Sequence, residues 1–290
     1  MYITQAGYAP GRRGKGWQKP VQQSLRYLFC SIVAFLVLLP VLVVVVGGFK
    51  TNGELVNAPF SLPHVWHWDT YAGILTQGSF WQSLLNSAIA MVVTVVLLLV
   101  VSCPASFVLA RISFRGREAV FNMFLFGLLF PATMAMLPLY ITLRNLQLIN
   151  SLLGVILPQA AFALPTTILI LRNFFREIPQ ELEDATYIDG GSTLDFFWRV
   201  LLPLARPSLA VVSMLAMVAS WNNFLLPLLV LNDANLWTVT LGVMQFQGEH
   251  STDWATTMAY ITLTMIPAIV FYLFAERNLI AGLTAGAVKG

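Results

Sequence analysis

The sequence predicts an all-α membrane protein of six transmembrane helices with one structured polar loop on the cytoplasmic side. Three observations carry this. Of 290 residues, 58% are hydrophobic and 10% charged, where a soluble domain carries about 25% charge. Six charge-free runs are each long enough for a tilted helix to cross a bilayer core of about 30 Å. The Lys and Arg residues divide 14 to 2 between the two faces that six crossings define. This composition excludes a large soluble catalytic domain. The net charge of +3 resides in residues scattered at the ends of apolar runs, which argues for orientation and against a nucleic-acid patch.

The first run lies between Arg26 and Lys50 and the second before Arg111. The third spans Glu118 to Arg144, the fourth Arg144 to Arg172, the fifth Arg206 to Asp233, and the sixth Asp253 to Glu276. The opening run is too long for a signal peptide and is followed by no small-residue cleavage site, so it reads as a retained span. One face then collects Arg12, Arg13, Lys15, Lys19, Arg26, Arg111, Arg115, Arg117, Arg172, Arg176, Arg199, Arg206, Arg277 and Lys289. Only Lys50 and Arg144 fall on the other. The positive-inside rule places both termini in the cytoplasm of a multi-pass cell-membrane protein. The basic tail before Tyr27 is expected to be unordered.

Cys30 and Cys103 fall inside apolar runs with no metal-type spacing, and are read as buried free thiols. Prolines within the runs, among them Pro104, Pro131, Pro158 and Pro165, are tolerated in membrane helices and either kink them around a pathway or reflect membrane composition. Residues 50–80 hold Trp66, Trp68 and Tyr71, with Trp81 just after them, an outer loop expected along the headgroup layer. His64 and His67 lack a third ligand nearby, so no metal is expected. The stretch 234–248 is placed outside, and whether it dips into the membrane is left open.

The stretch from Arg172 to Arg206 holds 10 of the 29 charged residues. Pro179 suits a first helical position, and Glu181, Glu183 and Asp184 follow where they favour the helix dipole. Gly190 and Gly191 suit a left-handed terminus, and Ser192 or Thr193 suits the cap of a second helix from Leu194. Asp195 and Arg199 pair at i and i+4. The remaining apolar surface of that helix, including Phe196, Phe197 and Trp198, is expected either on the membrane surface or in a partner.

The run DATYIDGGSTLDFFWRVLLP, Asp184 to Pro203, resembles the EAA loop of binding-protein-dependent ABC importer permeases. Asp184, Ala185 and Thr186 stand for the EAA triplet, Gly190 for the glycine, Val200 for the isoleucine, and Leu202 and Pro203 end the motif. Asp for Glu and Thr for the second Ala are departures. The tail IAGLTAGAVKG from Ile280, the phrase SWNNFLLPL from Ser220, and Tyr187 to Gly190 resemble MalG-type carbohydrate permeases. The resemblance implies the type I ABC importer permease fold, with a cytoplasmic tail 1–27, a six-span domain 28–277 and a tail 278–290. It implies that 172–206 is the loop coupling to a separate ATPase, through Glu183, Asp184, Ala185, Thr186, Asp189, Gly190, Gly191, Leu202 and Pro203. It also implies a second homologous permease, two ATPase subunits and an extracytoplasmic sugar-binding protein, reached by the outer loop Trp237 to Asp253. ATP and Mg would be held by the partner ATPase and no cofactor by this chain. In agreement, no G-x-x-x-x-G-K-[ST] motif occurs.

Ser220, Trp221, Asn222 and Asn223 are candidate pathway residues, since polar groups within spans are costly. Interhelical hydrogen bonding is the favoured role for them, and Asn86 and Gln159 are weighed in the same way. A secondary transporter or channel is the rival, but no Asp, Glu, Lys or Arg lies inside the six runs to couple protons. A membrane enzyme lacks a nucleophile and base or a metal motif. The sugar itself, from monosaccharide to glycerol-phosphate derivative, stays open.

Overall fold

The structure is a computed structural model that describes residues 18–248 and 252–287, with side-chain surroundings for 23–248 and 252–273. Residues 1–17, His250 and Lys289 lie outside the described residues, as do the side chains of the C-terminal motif. In chain order the helices begin with α1 (Gln18–Gly47), α2 (Asn52–Asn57), α3 (Trp68–Thr76) and α4 (Gly78–Arg111). There follow α5 (Arg117–Leu129), α6 (Met136–Asn145), α7 (Leu153–Glu177) and α8 (Glu181–Ile188). Next, α9 (Thr193–Asp195) runs through a π turn at Phe196–Leu201 into α10 (Leu202–Leu204). The last helices are α11 (Arg206–Trp221), α12 (Leu225–Val230), α13 (Val239–Gly242) and α14 (Trp254–Ala287).

Among the described residues, four helices are long and apolar enough to cross a membrane singly: α1, α4, α7 and α14. The count of six is reached only when two bent pairs are each taken as one crossing. The third expected span is one of them. Its α5 ends at Leu129, Pro131 opens a 3-10 turn, and the two halves meet at 92°. Proline has no N–H to continue the ladder and restricts the residue before it, so a break there follows from its chemistry. The fifth expected span also breaks. Its α11 has 16 residues, about 24 Å at the helical rise, and stops at Asn222 and Asn223 before the short α12. At its other end α11 bends by 73° from the α9–α10 segment.

The bundle is centred on α4. Its polar and small residues Ser83, Asn86, Ser87, Thr94, Ser102 and Ser106 are buried, which suits close helix approach in a medium that supplies no hydrophobic drive between helices. Thr94 reaches Gln159, and Leu109 reaches Arg172, so α4 and α7 run parallel. Ser220 also reaches Gln159 while Val212 and Ala205 pack with Leu171 and Phe175, so α11 runs antiparallel to them. Asn86 donates to the carbonyls of Asn235 (2.8 Å) and Trp237 (3.1 Å). The Ser87 hydroxyl accepts from the Val239 N–H at 2.8 Å. The 234–248 stretch is thereby tucked against α4, with Val239 and Leu241 buried, and is no free connector.

Two further expectations change. Cys103 is buried, but Cys30 is exposed. Most of α1 stands off the rest of the chain, with Tyr27, Phe29, Phe35 and Val37 all more than half exposed. A charge-free run establishes that a helix is surrounded by apolar matter, and does not say whether lipid or protein supplies it. Residues 18–26 of the tail, expected to lack order, belong to α1. In the 50–80 loop, Phe49 gathers Trp66, Trp68 and Tyr71 with ring centroids 4.4–5.1 Å away. Lys50, read only as a charge on a face, is 1% exposed and donates to the Ala58 and Pro59 carbonyls.

The two ends of the bundle are clasped differently. At one end Asn52 donates to Asp253 (3.1 Å) and accepts from the Ala255 N–H, joining the α2 segment to the start of α14. At the other, Arg172 is 3% exposed, donates to the Leu109 carbonyl at 3.0 Å and to Glu118 at 2.5 Å, and lies 3.8 Å over the Phe121 ring. Glu118 is thus the counter-charge of a buried guanidinium. Glu118→Ala is expected to lower the free energy of unfolding in detergent by about 2 kcal/mol, read from the thermal midpoint. Arg117→Ala, which removes only the more exposed 3.4 Å contact to the same carboxylate, is expected to cost less than about 1 kcal/mol.

Candidate functional site

The Arg172–Arg206 segment leaves the bundle at the end of α7 and returns to it at α11. Its first helix begins at Glu181 with Gln180 as N-cap, so Pro179 precedes the helix and does not open it as expected. Glu181, Glu183 and Asp184 do occupy the first turn. The helix ends as the glycines predict: Gly190 has φ +80, the left-handed region that side chains resist. Beside it a Cβ on Gly191 would lie 2.7 Å from the Thr186 methyl and 2.9 Å from its carbonyl oxygen. That carbonyl accepts the Gly191 N–H at 2.8 Å. Only Gly191 is therefore demanded by packing within the chain, whereas nothing lies within 4 Å of a Cβ on Gly190.

The second helix starts on a capping box. The Ser192 hydroxyl accepts from the Asp195 N–H (3.2 Å), and the Ser192 N–H donates to the Asp195 carboxylate (3.0 Å). The Ser192 side chain and backbone hydrogen bonds hold that carboxyl below the usual carboxylate range. Arg199 lies 3.4 Å from Asp195, as the spacing predicts.

The apolar surface of this segment divides between the chain's own bundle and the outside. Phe196 and Leu201 are 0% exposed, and with Phe197 they pack against Cys103, Phe107, Leu171 and Phe175. The chain's own α4 and α7 are the partner of that face. The π turn at Phe196–Leu201 brings these groups inward where a regular helix would rotate them differently. What remains outward is a smaller apolar set: Ile188 (85% exposed), Leu194, Trp198 and Leu204, with Tyr187 nearby.

Arg111 seats the segment. At the last residue of α4, it donates to the Phe175 carbonyl (3.0 Å) and to the Ile178 carbonyl, two acceptors left open where α7 ends. It also lies 3.7 Å from Glu183. Glu183 therefore faces inward, as do Thr186 and Gly191 in part, while Asp184, Ala185, Asp189, Gly190 and Pro203 are exposed and Leu202 is half-buried. Sequence reasoning had Arg111 only as an orienting charge. Its position at the end of an apolar run gives no sign of which carbonyls it will reach.

The other candidate residues divide in two. Ser220 and Asn223 line a half-open cavity of about 360 Å³ with Thr94, Gln159, Phe162 and Thr166. Trp221 and Asn222 line a separate apolar cavity with Met91, Met217 and Met265. Trp221 packs edge-on to Phe271 at 5.5 Å, and the Asn222 amide donates to the Val218 carbonyl. Asn86, already bound to Asn235 and Trp237, is interhelical glue. In the first cavity Gln159 Oε1 accepts from Ser220 at 2.6 Å and from Thr94 at 3.4 Å, joining α4, α7 and α11. Among the described residues no group of three His, Cys, Asp or Glu side chains is placed to hold a metal.

The family model for "binding-protein-dependent transport system inner membrane component" matches residues 102–283. The diacetylchitobiose uptake system permease protein NgcG of Streptomyces coelicolor is 34% identical over 88% of this chain and 85% of its own length. The arabinooligosaccharides transport system permease protein AraQ of Halalkalibacterium halodurans is 33% identical over 93% of this chain and 98% of its own. Among solved structures, a bacterial ABC transporter importing the acidic polysaccharide alginate contains a chain of the same fold. Its TM-score is 0.80 at 21% identity, over 91% of this chain and 99% of that one.

The two glycines predict different outcomes. Gly191→Val is expected to loosen the α8–α9 turn, seen as faster proteolysis between residues 186 and 195. Gly190→Asn, which tolerates the left-handed backbone, is expected to leave proteolysis unchanged.

Proposed function

We infer that this chain, which belongs to the family of binding-protein-dependent transport system inner membrane components, carries a sugar or sugar derivative into the cytoplasm. The chain is an ABC importer permease and not an enzyme; ATP hydrolysis belongs to separate ATPase subunits, and a binding protein delivers the substrate. The sugar assignment is supported by relatives named for diacetylchitobiose and arabinooligosaccharide uptake, each about a third identical over most of the chain. The full assembly is read as this chain, a second homologous permease, two ATPase subunits holding ATP and Mg, and an extracytoplasmic sugar-binding protein. Both termini are placed in the cytoplasm. The 14-to-2 charge division supports that orientation.

The observation that carries the coupling role is the seating of the 172–206 segment. Its inner face is fixed to α4 and α7 through Arg111, Phe196, Phe197 and Leu201. Its outer face offers Ile188, and Gly190 with open space above it, while the exposed Leu194 and Trp198 line a groove beside α4. A segment held on one side by packed side chains transmits a push on its other side to the helices beneath, because close-packed groups shift as units. Closure of the ATPases would in this way move α4, α7 and α11 together and switch the pathway between them.

Two measurements test this. Tagging the chain in native membranes and solubilising gently is expected to recover an ATPase and a second six-span chain; recovery of this chain alone, without ATPase activity after crosslinking, would favour the self-sufficient transporter. Gly190→Trp is expected to insert with its left-handed turn strained and to abolish uptake, and Ala185→Trp, on exposed helical surface without that strain, is expected to do the same. Uptake near the wild-type rate would show the segment to be structural only.

A further inference from the structure

The half-open cavity between α4, α7 and α11 has a feature that bundle packing does not use. Gln159 is 8% exposed, and its Oε1 is committed to the hydroxyls of Ser220 and Thr94. The 2.6 Å separation suits an O–H···O bond from the Ser220 hydroxyl to the amide oxygen. Its nitrogen has no partner among the described residues, and it is not among the fully enclosed unpartnered atoms, so it borders the cavity that Gln159 lines. Asn223 repeats the arrangement from α11's end: Oδ1 accepts the Leu226 N–H at 3.2 Å, and the amide nitrogen has no partner among the described residues. Two amides, one on α7 and one in the turn after α11, thus spend their oxygens on the chain and leave their nitrogens without a partner among the described residues.

An amide nitrogen donates and does not accept. Leaving such a donor unpaired in a largely buried site is costly, and a ligand acceptor relieves the cost. The rest of the lining among the described residues is Thr94, Thr166 and Thr167, Phe162, and aliphatic groups such as Ile170 and Leu215, with no charged side chain. Without a cation, a carboxylate or sulfonate entering this space would lose hydration that nothing here replaces.

We infer that Gln159 and Asn223 are paired hydrogen-bond donors to the passing substrate, and that this cavity selects an uncharged sugar by its ring, hydroxyl or acyl oxygens. This rests on the importer reading above and narrows it. The Ser220 and Thr94 hydroxyls act on Gln159 as positioning groups.

The test uses the complex purified from native membranes with its ATPase and binding protein, reconstituted in proteoliposomes. Uptake is measured for three radiolabelled probes: diacetylchitobiose and arabinotriose, which are neutral, and an alginate trisaccharide, which is anionic. At least one neutral probe is expected to enter and the anionic probe to be excluded. Gln159→Met is expected to lower maximal uptake of the neutral probe roughly tenfold, the loss of about one hydrogen bond. The double variant Thr94→Val/Ser220→Ala, which removes the interhelical bonds and keeps the donor, is expected to lower it less than about threefold. Subunit recovery and melting temperature are recorded for each variant. Equal losses in the two variants would show Gln159 to be interhelical glue and overturn the inference. Unchanged uptake in Gln159→Met, entry of the anionic probe, or entry of none of the three probes would do the same. A preparation that contains no ATPase or binding protein would instead remove the importer reading, and this inference with it.

Discussion

The structure depends most on what Arg111 does at the foot of α4. A helix end leaves carbonyls without partners, and in a membrane protein those carbonyls must be satisfied close to the apolar boundary. Arg111 supplies donors to the Phe175 and Ile178 carbonyls and leaves part of its charge for Glu183. One side chain thus satisfies the end of α7, which stops at Ile178 before Pro179, aligns α4 beside it and reaches Glu183 of α8. Arg172 does the reciprocal service for α4, donating to the Leu109 carbonyl. The pair α4 and α7 is crossed-over at its foot by two guanidinium groups, and the 172–206 segment is mounted on that foundation.

This arrangement gives the coupling segment a division of labour that its motif alone does not express. Residues of the motif that appear equivalent in a string separate into those turned inward, such as Glu183 and Gly191, and those turned outward, such as Ala185, Asp189 and Gly190. The inward set decides whether the segment keeps its shape. The outward set is what another subunit can meet.

Much of the fold was legible because it follows from local rules. Long apolar runs gave α1, α4, α7 and α14, and the Ser192 cap and the left-handed Gly190 were both readable from residue type. What was not legible depended on long-range packing. Pro131 was legible as a kink, but the right angle it turns and the stop of α11 at Asn222 lie in runs whose hydropathy is continuous, and hydropathy is blind to direction. The greasy second helix of the loop was read correctly as too apolar for water, yet its partner was the chain's own α4 and α7, more than 80 residues away for Phe107 and Phe196. Ser220 and Asn223 were singled out with their neighbours Trp221 and Asn222, and only the geometry of α11's end shows that the four face two different cavities. Gln159 carried no more sequence signal than Asn86, though one borders open space and the other is fully engaged.

The buried polar face of α4 has a consequence for how the molecule is made. Ser87 waits for a backbone N–H that lies 152 positions later in the chain, and Asn86 for carbonyls 149 and 151 positions later. At a synthesis rate of roughly 5–20 residues per second, that interval is about 8–30 s. During it α4 is already long enough to have entered the bilayer, with a row of hydroxyls and amides that have no final partner. One of the earliest helices to be inserted is therefore among the last to reach its native surroundings, and its polar face must be sheltered by temporary neighbours until the ribosome has delivered the 234–248 stretch.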